Sequence, residues 1–273
     1  MKRTYIILMA ASLVLLCSCG NNQNKKKSET KAADTESVEE QYIKADIKIK
    51  LDSLVSELGR INATPIVENI DNGKVNLSAA VKKNRPDYLM PLDKVSEAVT
   101  LSEKYRALIV YYVDMRFAKL FDMPLDAYKQ TLAKLIVDIN DPAIPTDVEK
   151  SASLLNNMGP NVQQYYNESV KSNTVAYFWE TMAAGSLEHL YIITRNIDLF
   201  MPLFNDQTAS EVSYRLILVH EGIKSLIPYE PELEEIQTIL KPLEVLNATN
   251  ANELRSQLTE LKDAVETARA QLF

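Results

Sequence analysis

The chain has 273 residues, with 30 Lys and Arg set against 37 Asp and Glu for a formal charge of −7. So acidic a body is repelled by nucleic acid and by anionic lipid headgroups, and no nucleic-acid partner is expected. Its 46% hydrophobic content supplies a sizeable core, and six glycines in the whole chain argue against a turn-dense all-β fold.

Both cysteines stand near the N-terminus, in Leu15-Leu16-Cys17-Ser18-Cys19-Gly20. Lys2 and Arg3 precede an apolar run from Ile6 to Leu16 that is too short to span a bilayer as a helix, the layout of a secretory leader. The ending Leu16-Cys17-Ser18-Cys19 resembles the lipobox of bacterial lipoproteins, with leucine three positions before the modified cysteine and a small residue just before it. The resemblance covers the first twenty residues. It implies that residues 1–18 are a signal peptide removed after Ser18, and that Cys19 carries the lipid, palmitate among its acyl chains. Two or three such chains hold a protein firmly on a membrane. The mature chain then has no thiol, and losing Lys2 and Arg3 takes its formal charge from −7 to −9. Gly20 to Lys27 lacks the aspartate that resembles an inner-membrane retention signal and the acidic run that resembles a surface-export signal. By that resemblance the expected place is the outer membrane, facing the periplasm.

Residues 19–37 form the lipidated tether: 20–37 mix Asn, Lys, Ser, Thr, Glu and Ala without an apolar period, a flexible segment with a root-mean-square reach of roughly 23 Å. Residues 38–273 read as one all-α domain, an antiparallel bundle of about seven to nine helices with a possible sub-boundary near 141–146. Apolar residues step by threes and fours at Ile47, Leu51, Leu54 and Leu58, and again from Leu101 to Met115 and from Leu125 to Ile139. The pattern returns over Leu190–Phe204, Val212–Leu226 and Leu254–Leu272. Ala107–Val113 and Leu190–Ile193 are apolar nearly all round, which suits central helices. Prolines at 124, 142, 145, 160, 228 and 242 punctuate the stripes, and Thr146 followed by Asp147 and Glu149 suits a helix start. Within residues 66–77, Asn72-Gly73 between short apolar runs fits either a small hairpin or an irregular loop with a tight turn.

The chemistry-bearing residues are sparse. The two histidines occur as Glu188-His189 and His220-Glu221, and neighbours in a helix point about 100° apart, so neither dipeptide chelates one ion. Ser186 and Ile217 stand where a di-iron bundle needs glutamate, and Lys224 where a zinc protease needs its second histidine, so no metal is expected. No nucleophile elbow or phosphate-cradling glycine loop is present, and no cofactor is expected. The most unusual window is residues 176–189, which holds the only tryptophan and a glycine inside an apparent helix. Its first reading is a close helix crossing at Ala184 and Gly185, with Tyr111, Tyr112, Tyr165 and Tyr166 as core and rim rather than a binding platform. Its functional reading is a ligand pocket of Trp179, Glu180, Gly185, Glu188 and His189, joined by His220 and Glu221 if the two histidines meet. The expected function is a lipid-anchored, periplasm-facing binding or accessory protein whose partner is an envelope protein or a small ligand. An envelope hydrolase with catalytic residues dispersed around Glu180, His189, His220 and Glu221 is the first alternative, and a structural spacer the second.

Overall fold

The computed structural model describes residues 38–273 apart from 62–65, 67–68, 71 and 157–160, and omits the side chains of 38–43 and 156. The leader, Cys19 and the tether lie outside the described residues.

The domain is all-α, with no strand among the described residues. Its helices are α1 (Val38–Arg60), α2 (Ala79–Lys83), α3 (Leu101–Leu120), α4 (Asp126–Ile139), α5 (Val148–Asn156), α6 (Val162–Ser172), α7 (Val175–Arg195), α8 (Ile197–Phe200), α9 (Asp206–Leu226), α10 (Leu233–Leu240), α11 (Ala251–Glu260) and α12 (Lys262–Arg269). Local chemistry sets their ends. Thr100 and Glu103 form a reciprocal capping box before α3, and Asn205 with Thr208 does the same before α9. Asp147 accepts the Lys150 N–H at 2.9 Å and so starts α5. Asn140 and Asn173 end α4 and α6 in the left-handed conformation that asparagine tolerates (φ 51° and 59°).

Two apolar stripes divide where the sequence pattern runs on. The 190–204 stripe breaks at Asn196 (φ −138°, ψ 55°), which leaves helical geometry between α7 and α8. The 254–272 stripe breaks at Leu261, between α11 and α12. A stripe reports which face is buried, and two helices in line can bury one continuous face. The bundle therefore has more helical segments than seven to nine.

Around Asn72-Gly73 the chain makes an irregular tight turn rather than a hairpin. The Gly73 N–H bonds to the Ile70 carbonyl, those of Lys74 and Val75 share the Asn69 carbonyl, and Gly73 takes φ 65°. A two-stranded ribbon is marginal in water, and here the turn's backbone is satisfied locally.

Short connections alternate the helix directions, so α3 and α7 run parallel and lie side by side as the largest interface of the bundle. Their register is fixed by a recurring separation of 74 residues: Arg106 meets Glu180, and Asp114 meets Glu188. Tyr105 stacks on Tyr177 at 4.6 Å one turn before, and Phe117 meets His189 edge-on beyond. Ala107–Val113 are fully enclosed and Leu190–Ile193 buried, the central position their composition implies. Buried side chains from Leu51 to Leu272 form one continuous core that passes through the 141–146 loop without interruption.

Candidate functional site

The 176–189 window occupies the middle of α7 and is almost wholly interior. Trp179 has no exposed surface and lies across Gly222 of α9, so close that a Cβ at 222 would fall 2.3 Å from the ring. Gly222 is therefore a close crossing, where the glycine admits an indole from the facing helix. Phe178 meets the Trp179 ring edge-on and packs against Tyr165 and Tyr166, while Tyr111 and Tyr112 are likewise enclosed.

The two glutamates of the window each hold a guanidinium. Glu180 accepts from Arg106 Nε at 2.5 Å and Nη2 at 3.1 Å, with neither side chain exposed. Arg106 also donates to Glu235 at 3.0 Å and to the Leu272 carbonyl at 3.3 Å. Burial pushes Glu180 above its usual value while Arg106 pulls it back; the two-pronged geometry suits the ionised pair. Two helical turns on, about 12 Å away, Glu188 accepts from Arg269 Nε at 2.7 Å and Nη2 at 2.9 Å, and Asp114 joins them.

His189 donates from Nδ1 to the Gly185 carbonyl at 2.7 Å, and its buried Nε2 has no hydrogen-bond partner. Burial depresses its pKa to about 3, so the ring is neutral and acts as a packed aromatic against Phe117. Arg215 of α9 is buried near by and donates to Ser186 at 3.0 Å; burial lowers its pKa to about 10.

The two histidines do not share a site. Trp179 faces Gly222 and Ser186 faces Arg215, so α7 and α9 are antiparallel. That register places His220 opposite residue 181, about eight residues or 12 Å along the helix from His189. His220 and Glu221 instead border a shallow groove of about 190 Å³ with Ile217, Leu243, Glu244 and Leu246. His220 Nδ1 is 3.4 Å from Glu244, and Glu221 binds Lys50 of α1 at 3.1 Å. Ile217 and Val245 are 51% and 63% exposed beside it. No group of three or more His, Cys, Asp or Glu among the described residues has the arrangement of a metal site.

A second cleft, of about 380 Å³, opens where α3, α4 and α5 meet. Arg116, Lys119 and Lys129 give it positive charge, Glu149 binds Lys129 at 2.7 Å, and Met115 and Leu125 supply apolar wall. Sequence reasoning missed it because its residues come from three helices and form no local motif. Comparison of the chain with protein-family models, with curated proteins and with solved structures finds no match.

Proposed function

We propose that this chain is a lipid-anchored binding or accessory protein of the bacterial cell envelope, held through Cys19 to the outer membrane and facing the periplasm. The observation that carries the reading is Leu16-Cys17-Ser18-Cys19 after a charged, apolar leader. An acidic helical body agrees with it, since such a body does not adhere to anionic lipid by itself. Among the described residues no helix is long and apolar enough to cross a membrane, so the reading assigns attachment to the lipid. The buried ionic residues of α3 and α7 hold the fold together, which leaves recognition to the surface clefts and their exposed apolar neighbours.

Metabolic labelling with an alkyne analogue of palmitate, followed by membrane fractionation of wild type and Cys19→Ala, tests the anchor. Wild type should take up label and sediment with the outer membrane; the variant should do neither. Equal labelling or unchanged membrane association of Cys19→Ala would sink the proposal. Cross-linking of the labelled protein in intact cells tests the accessory role, with one stoichiometric envelope partner expected.

A further inference from the structure

The layer around Arg269 holds more negative groups than positive ones. Asp114 of α3 and Glu188 of α7 are both without exposed surface and within hydrogen-bond reach of one another. Arg269 is the cation beside them, and both prongs of its guanidinium are committed to Glu188. Asp114 is left 3.9 Å from Arg269. Its Oδ2 accepts the Met90 N–H at 2.6 Å, and its Oδ1 has no hydrogen-bond partner.

The groups around this layer do not rebalance it. Tyr88 faces it from the 84–91 segment, Tyr111 from α3, Tyr128 from α4 and Tyr191 from α7. Burial pushes all four phenols up, so they stay neutral, and the Tyr191 ring lies 4.0 Å from the Arg269 guanidinium carbon. Asp93 stands beyond Tyr111 and Arg195 beyond Tyr191, each one side chain removed. Two ionised carboxylates in contact in a dry interior with one guanidinium repel, and an unpaired buried charge is among the most costly features a fold can hold.

We propose that Asp114 keeps its proton at neutral pH and donates it to Glu188, forming a buried carboxyl–carboxylate hydrogen bond that pins the 84–91 segment, α3, α7 and α12 at one point. Charge then balances, with Glu188 negative, Arg269 positive and Asp114 neutral. Glu188 accepts from Asp114 as well as Arg269, and Met90 still donates to Asp114. Burial and the neighbouring Glu188 raise the Asp114 pKa well above its ordinary value, in agreement with this arrangement. The folded state therefore retains a proton that the unfolded chain has lost. Stability from this group is complete below the ordinary aspartate range and declines as pH rises toward the folded value.

Infrared spectroscopy of the purified chain at pH 7 tests the assignment. Wild type should show the carbonyl stretch of a protonated carboxyl, and Asp114→Asn, which keeps a donor toward Glu188 without titrating, should lack that component. Between pH 5 and pH 8 the wild-type folding equilibrium should also weaken relative to Asp114→Asn, by up to about tenfold per pH unit. A spectrum without the band, or a band that persists in a folded Asp114→Asn, overturns the proposal. Should that variant not fold, carbon-13 carboxyl NMR of wild type decides: one aspartate still protonated at pH 7 supports it, and every aspartate ionised by then refutes it.

Discussion

At the scale of single residues, the contact between Trp179 and Gly222 sets what the core tolerates. Alanine is about 1 kcal/mol better than glycine inside a helix, so Gly222→Ala would stabilise α9 in isolation. Here the added methyl meets an enclosed ring at 2.3 Å, and overpacking of that kind typically costs about 1–3 kcal/mol. We expect urea unfolding to show net destabilisation of Gly222→Ala, and the loss to shrink in a Trp179→Leu background, where the clash is absent. Equal losses in both backgrounds would mean that ring and glycine are not coupled. His189 makes a second prediction with a definite sign. Its folded pKa of about 3 lies below the model-peptide value near 6.5, so the neutral ring contributes stability above that value and loses it as pH falls toward 3. Thermal unfolding from pH 7 to pH 4 should fall less steeply for His189→Leu than for wild type. The sequence identified both residues as unusual, Trp179 by being alone and His189 by its glutamate neighbour, but not their burial. Arg106 and Asp114 were harder to see, because they flank the apolar run Ala107–Val113 and their partners lie 74 residues away.

At the scale of elements, the α3–α7 pair carries two ionic layers eight residues apart, and each is completed from near the C-terminus. Arg106 reaches the Leu272 carbonyl, and Arg269 of α12 supplies the cation for Glu188 and Asp114. Helical periodicity showed a buried face in six stretches of the chain, which is enough for an all-α assignment. It could not show which helices are neighbours, because that depends on loop directions and on charges invisible to an apolar stripe. Removing one partner of a buried ion pair typically costs about 3–5 kcal/mol, whereas replacing both by apolar groups of similar volume is often neutral. Arg106→Ala should therefore lower unfolding free energy by about that amount, since Glu180 would be left enclosed with no guanidinium. The double variant Arg106→Met, Glu180→Met should recover most of the loss, as read by denaturant midpoints. If it is no more stable than Arg106→Ala, the bonds from Arg106 to Leu272 and Glu235 matter more than the pair.

At the scale of the whole molecule, the anchor we propose at Cys19 and the fold are expected to be separable. The first buried side chain among the described residues is Leu51, and the core runs on from there to Leu272. Residues 44–50 of α1 contribute little to it, being exposed apart from the half-buried Ile47, with Ile49 68% exposed. The composition of residues 20–37, which lack an apolar period, leads to the same expectation. A chain beginning at Val38 should thus unfold at the same denaturant midpoint, and with the same slope, as one beginning at Cys19, because the slope follows the surface exposed on unfolding. A lower midpoint or a shallower slope in the shortened chain would show that the tether packs on the domain. It would also revise how far the anchor we propose at Cys19 could hold the surface clefts from a membrane, since a docked segment no longer has the roughly 23 Å reach of a flexible one.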